Sequence, residues 1–312
     1  MPFEQGRFED LPARPRLPHP YFDGETTKMV VESAPFGPIA THVVAYGPRD
    51  APPLLLIHGL MTTSYSWRYM FERLGDRFRL IAPDLPGCGR SAVPAADRPI
   101  SGAALGRFVG ELQAALGIAG CATVGNSLGG YVCMRTALAD PAAFERLVVI
   151  HAPAVPEPRL VGLHVALKLP GVAAVLRRVV RHDPLRWAHK NVHYYDESLK
   201  SLQEAHEYGG PLASAAGAGA FVRYLGDALD PRELRAFERE LARRRDAGAG
   251  CPCPLQLVYA REDPTVPPKV GRRLQALVPG AELHWLEQSS HFVQVDQPDR
   301  LAELVAGFLG SG

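Results

Sequence analysis

Nowhere does the 312-residue chain carry an uninterrupted apolar run near the ~20 residues that a membrane-spanning helix needs, so a soluble protein is expected. Excess charge is also missing. The formal net charge is +1, and no Lys/Arg-rich block supplies a local substitute, which argues against nucleic acid or an anionic membrane as partner and for a small, largely uncharged ligand. Cysteine is scarce: Cys88, Cys121, Cys133, Cys251 and Cys253 are odd in number, scattered, and partly set in core-like segments. That pattern excludes a disulfide framework and fits a reducing cytoplasm. Cys251-Pro-Cys253 is too close for an ordinary disulfide and has neither a second pair nor a histidine at zinc spacing, so it reads as a plain loop. The N-terminus has no apolar core of the kind a secretory signal carries, so neither a signal peptide nor an anchor is expected there.

Apolar residues at 46% and charged residues at 21% are enough for a sizeable core, and the length suits one large α/β unit carrying an inserted lobe. Residues 1–25 are proline-rich and read as a tether over the surface. Met29-Val30-Val31 and Ile39 to Val44, separated by Pro35-Phe36-Gly37-Pro38, predict two strands joined by a turn. Short runs apolar on both faces follow, at Leu54 to Ile57, Arg79 to Ala82, Cys121 to Val124, Leu147 to Ile150, Leu255 to Tyr259 and Leu283 to Leu286. Such runs alternating with helical patterns predict a doubly wound, mostly parallel sheet. Between Ile150 and Leu255 the strand signal lapses, and helices are expected near Val172–Val180, Leu185–Val192, Gly219–Leu229 and Arg232–Arg245. The division is therefore a core of residues 26–153 and 250–312 and a helical insertion of 154–249. Ala213 to Ala220 reads either as a hinge or as a packed small-residue turn.

Gly125-Asn126-Ser127-Leu128-Gly129 lies between a strand and a helix, the setting that the G-x-S-x-G turn requires. The turn is so tight that side chains two positions either side of the serine would collide. A serine hydroxyl is a weak nucleophile at neutral pH and needs a base, which in turn needs an acid to fix its tautomer. His291 follows the last strand, and Asp263 follows the strand before it, with Glu262 as the alternative acid. Loops at the C-terminal ends of strands are where open α/β sheets hold their chemistry. The order Ser127, Asp263, His291 is then that of a triad. Backbone amides of Leu128, at a helix N-terminus, and of Leu60, in the loop after the third strand, are the candidate oxyanion donors. His58 is expected to bond within its own loop.

With these residues in place, the chain resembles the α/β-hydrolase superfamily from about Thr27 to Leu309. His58-Gly59, Asp84-Leu85-Pro86-Gly87-Cys88-Gly89-Arg90-Ser91 and Ser290-His291-Phe292-Val293-Gln294-Val295-Asp296-Gln297-Pro298 are similar to the branch of haloalkane dehalogenases and epoxide hydrolases. The resemblance implies an all-helical cap inserted after the sixth strand and a structural role for the Asp84 loop. One departure bears on the chemistry: that branch carries aspartate at the elbow, where this chain has Ser127. Serine attack on a saturated carbon would leave an ether that the triad could not hydrolyse. Leu60 also cannot serve as the halide-binding asparagine of dehalogenases, although Tyr194 and Tyr195 leave the tyrosine pair of epoxide hydrolases open.

A serine carboxylesterase acting through an acyl-enzyme is therefore expected. The alternatives are a C–C hydrolase of vinylogous diketones, whose elbow is similar but which usually has tryptophan where Phe292 stands, and a non-catalytic receptor on a hydrolase scaffold. Trp187, Tyr194, Tyr195, Phe221 and Tyr224 are candidate pocket walls, although aromatic residues at helical spacing are more often core. For the pocket we select Met61, Trp67, Trp187, Tyr194 and Phe292. His189 and His193 stand four apart without a carboxylate motif, so no metal is expected, nor any cofactor. The partner is a small-molecule substrate, and the chain is a monomer or homodimer.

Overall fold

A computed structural model of the chain describes residues 3–310. Eight strands form one sheet in the order β1-β2-β4-β3-β5-β6-β7-β8. They are β1 (Glu25–Ser33), β2 (Gly37–Tyr46), β3 (Pro53–Ile57), β4 (Arg79–Pro83), β5 (Ala122–Asn126), β6 (Leu147–Ile150), β7 (Leu255–Ala260) and β8 (Glu282–Leu286). β2 pairs antiparallel with both β1 and β4, and every other pairing is parallel. This is the α/β-hydrolase sheet that the resemblance implies.

The apolar runs are continuous because both faces are covered. In β3, Leu55 and Ile57 join one core while Leu54 and Leu56 join the other. The first core is closed by helices α2 (Gly102–Leu116), α3 (Leu128–Ala139), α9 (Pro231–Asp246) and α10 (Pro268–Leu277). The second is closed by α1 (Arg68–Leu74), α11 (Val293–Asp296) and α12 (Pro298–Gly310). Ser101 caps α2 by accepting from the Ala104 amide, and Gly117, at φ 68°, ends it in the left-handed conformation that glycine adopts without penalty.

Between β6 and β7 run α4 (Pro158–Leu167), α5 (Val172–His182), α6 (Pro184–Asn191), α7 (Leu202–Gly209), α8 (Ala215–Arg223) and α9, with no strand among them. Residues 224–228 continue α8 as a single π-helical turn. The Ala213–Ala220 stretch is the start of α8: Ser214 accepts from the Gly217 amide, and a Cβ on Gly217 would sit 2.0 Å from the Pro211 carbonyl oxygen. Gly217, Ala218 and Ala220 are packed inward, while residues 213–216 are exposed.

A buried polar network joins this lobe to the sheet unit. Arg68 of α1 is fully buried, donates to Glu204 of α7 at 2.9 Å and to Tyr208 Oη at 3.3 Å, and lies against the rings of Tyr65 and Tyr69. Tyr194 Oη donates to the same Glu204 carboxylate at 2.5 Å. The N-terminal residues are fastened to both parts, since the amides of Leu202 and Gln203 donate to the carbonyls of Pro12 and Ala13 and buried Tyr21 bonds Ser64 at 2.7 Å.

Candidate active site

Ser127 sits between β5 and α3 at φ 54°, ψ −119°, a backbone conformation that L-residues rarely hold and that costs about 1–3 kcal/mol. The residues two positions to either side of it must be glycine. A Cβ on Gly125 would lie 2.7 Å from Gly130 Cα, and one on Gly129 would lie 2.3 Å from the Ile57 carbonyl oxygen. Gly59 serves the same end from the β3 loop, because any Cβ there would press on Asn126 and Ser127 at 3.1 Å. The two loops can therefore approach one another, and Asn126 ties the elbow to the loop after β8 by donating from Nδ2 to the His291 carbonyl at 3.3 Å.

Asp263 and His291 follow β7 and β8, and α10 and β8 lie within the 27 residues between them. Their contact is direct: His291 Nδ1 and Asp263 Oδ2 are 2.7 Å apart. The other carboxylate oxygen, Oδ1, accepts from the amides of Thr265 at 2.6 Å and Val266 at 3.0 Å. Burial opposes the charge on Asp263, but the facing imidazoles of His291 and His151 more than reverse this, so its carboxyl is held below the usual carboxylate range.

Ser127 and His291 line one cavity of ≈ 220 Å³. Among the described residues no hydrogen bond joins Ser127 Oγ to His291, a contact that in hydrolytic sites commonly tightens only when substrate is bound. Leu60 and Leu128 line the same cavity, and the backbone amide of neither donates to another group among the described residues. Met61 holds φ 60°, a positive value that residues other than glycine seldom adopt. The remaining wall is mostly apolar, with Leu160, Phe221, Leu229, Val266 and Phe292 beside the polar Asn191 and Thr265, and Arg159, whose guanidinium donates to the Pro264 carbonyl, is the one arginine or lysine that lines it.

A family model for the alpha/beta hydrolase fold matches residues 52–298. The chain belongs to the α/β-hydrolase family. An uncharacterised protein of Mycobacterium tuberculosis strain H37Rv is 30% identical to it over 272 residues, covering 83% of this chain and 76% of that one. The 2-hydroxymuconate semialdehyde hydrolase of Pseudomonas sp. strain CF600 is 27% identical across 82% of this chain and 86% of its own. Among solved structures, ALR0039 of Nostoc sp. PCC 7120 superposes with a TM-score of 0.75 at 19% identity, covering 92% of this chain and 99% of the other.

The site of this α/β hydrolase differs from the sequence reading in its pocket walls. Met61 and Phe292 line the cavity, whereas Trp67, Trp187 and Tyr194 do not. Trp67 ends the short helical turn Ser64–Trp67 and is fully buried in the second core, where a large ring gains most from burial. Tyr194 is equally buried, because its phenol is committed to Glu204 and its ring only backs Phe292, edge to face at 5.3 Å. Trp187 stands behind Phe221, with ring centroids 6.3 Å apart, one layer away from the cavity. Tyr195 also lies outside the cavity lining, so neither member of the tyrosine pair faces it. His58 is fully buried, with Nδ1 against the Gly59 carbonyl at 2.8 Å and Nε2 accepting from the Leu85 amide at 2.9 Å.

Two residues of this hydrolase escape a reading from motifs. His151, directly after β6, is fully buried at φ 51°, and its Nδ1 lies 2.8 Å from Asp263 Oδ2. Asp296 takes the amide of Ser290 at 2.7 Å and its hydroxyl at 2.5 Å on Oδ2, and the Tyr195 amide at 2.9 Å on Oδ1. It thereby clamps the His291 loop to the inserted lobe, and burial pushes its carboxyl up to about 6. For His151 a signal existed: a histidine at the C-terminal end of a central strand is adjacent to the next strand's acid. For Asp296 none did, since its partners are backbone amides.

Proposed function

We propose that this hydrolase cleaves small, largely uncharged carboxylic esters through an acyl-enzyme intermediate. The observation that carries the reading is the His291–Asp263 hydrogen bond placed at a cavity that the elbow serine also lines. In this reading His291 Nε2 takes the proton of Ser127 as Oγ attacks the ester carbonyl, and the amides of Leu60 and Leu128 receive the oxyanion. His291 then gives the proton to the departing alcohol, and a water deprotonated by the same ring releases the acid. Asp263, kept ionised by its donors, fixes the His291 tautomer and stabilises the imidazolium. Cavity size favours short chains, because ≈ 220 Å³ lies below the ~300 Å³ at which drug-sized ligands are usually accommodated.

A second reading, C–C hydrolysis of a vinylogous diketone acid, is favoured by Arg159, the one arginine or lysine at the cavity, which could meet a substrate carboxylate. The 2-hydroxymuconate semialdehyde hydrolase likeness supports it as well. Against it, Arg159 is exposed at the rim and already bonded to Pro264.

A panel of p-nitrophenyl acetate, butyrate and octanoate with a 2-hydroxy-6-oxo-dienoate separates the two. The ester reading predicts turnover of acetate and butyrate with little effect of Arg159→Ala. Fast turnover of the dienoate alone, collapsing in Arg159→Ala, would favour the second reading.

A further inference from the structure

Seven large apolar side chains are exposed among the described residues, and four of them, Val165, Leu169, Val175 and Val179, fall on α4, α5 and the corner between them. The two helices meet at 101°. On α5, Ala173, Leu176 and Val180 pack inward under the lobe, which leaves Val175 and Val179 outward one turn apart with exposed Arg178 between them.

The same segment is one-sided in charge. From Pro158 to His182 there is no Asp or Glu, against five Lys or Arg. Lys168, Arg177 and Arg178 are exposed and make no ion pair among the described residues, and Arg181 reaches only the Ala213 carbonyl at 3.5 Å. Arg177, Arg178, Arg181 and Arg223 line an open groove of ≈ 970 Å³ between α5, α8 and the loop at Val93 to Ala96. Asp183 is paired with Arg186, whereas Asp227 acts on Arg223, whose guanidinium is held by the carbonyls of Pro94, Ala95 and Arg98, so the free cations of the groove are Arg177, Arg178 and Arg181. Exposed Asp97 is the remaining carboxylate of the adjoining loop. The balanced net charge of the whole chain conceals this local excess.

We propose that the α4–α5 corner docks on the surface of an anionic lipid bilayer, with Val165, Leu169, Val175 and Val179 entering the headgroup boundary and the arginine groove taking lipid phosphates. Apolar side chains flanked by unpaired cations suit that surface, since insertion and charge attraction then act together. A second copy suits it less, because a twofold contact through this face would set the arginines against themselves. Arg159 and Leu160 of α4 line the cavity that holds Ser127, so docking would bring that cavity to the lipid surface. The proposal concerns where the protein sits and does not depend on which bond it cleaves.

Flotation of the full chain with vesicles of equimolar phosphatidylcholine and phosphatidylglycerol, and with phosphatidylcholine alone, tests it. Binding to the anionic vesicles only, reversed by high salt, is expected. Each basic side chain near such a surface contributes about fivefold, so Arg177→Gln/Arg178→Gln/Arg181→Gln should bind about a hundredfold more weakly. Val175→Ser/Val179→Ser should lose about tenfold. Both variants should keep the melting temperature and the hydrolysis of a water-soluble ester, and Ser127→Ala should bind vesicles as the parent does. Equal binding to both vesicles, binding to neither, undiminished binding by the triple variant, or a solution dimer dissolved by Val175→Ser/Val179→Ser would each overturn the proposal.

Discussion

Nδ1 of His151 lies 2.8 Å from Oδ2 of Asp263, the oxygen already engaged by His291 at 2.7 Å. One carboxylate oxygen thus stands between two imidazoles, one from the end of β6 and one from the loop after β8. Burial lowers the affinity of His151 for a proton, so it faces Asp263 as a neutral ring.

His151 should therefore act as a positioning residue for Asp263. In His151→Asn, chosen because asparagine tolerates the positive φ at this position, the carboxylate loses a neighbour and is left freer to interact with His291. The expected result is a kcat lower by about tenfold, from an interaction of about 1.5 kcal/mol, with the acid limb of the kcat/KM profile moved upward. An unchanged pH profile would remove His151 from the account.

The pH dependence of stability has a definite sign. His58 and His151 are both fully buried with proton affinity lowered from the usual 6.5, so each takes up a proton only on unfolding as pH falls below that value. Each should cost about 1.4 kcal/mol per pH unit in that range. Asp296, raised to about 6, works the other way: it binds a proton in the folded state before the unfolded one, and gains stability as pH falls from about 6 toward 4. Asp296→Asn should accordingly steepen the acid loss by about one proton, read from urea unfolding at stepped pH. A shallower slope in the variant would contradict the assignment.

Arg68 and Glu204 hold the inserted lobe to α1 in a setting with almost no solvent. Removal of one partner leaves a buried charge uncompensated, so Glu204→Ala should lose about 3–5 kcal/mol in denaturant unfolding. A loss under 1 kcal/mol would show that water reaches the pair.

Phe221 lines the cavity that Ser127 also lines and is itself backed by Trp187. Phe221→Ala should lengthen the acyl chain accepted, raising the octanoate-to-acetate ratio of kcat/KM by about tenfold or more. A ratio unchanged from the parent would place the acyl chain elsewhere in the cavity.

What was legible in the sequence follows from how local each constraint is. The β3 and β5 to β7 runs are apolar on both faces because helices cover both, a pattern visible without coordinates. The elbow was legible because its glycines are dictated by contacts within a few residues and with β3. The pocket walls were not, since an aromatic ring on a helix gives the same signal whether it faces a cavity, as Phe221 does, or a buried carboxylate, as Tyr194 does. Residue spacing along the chain carries no information on which of those two partners lies opposite. The basic groove was masked by the balanced net charge: Arg177, Arg178 and Arg181 stand within five residues of α5, but that they remain without carboxylate partners is visible only in the fold.

The central claim is that Ser127 carries the acyl group, and the most direct measurement is intact-protein mass spectrometry of parent and Ser127→Ala after brief exposure to p-nitrophenyl butyrate or a fluorophosphonate. The account predicts a single butyryl or phosphonyl adduct mapped to Ser127 in the parent, no adduct in the variant, and a kcat lower by several orders of magnitude. An adduct on another residue, or full turnover by Ser127→Ala, would contradict it.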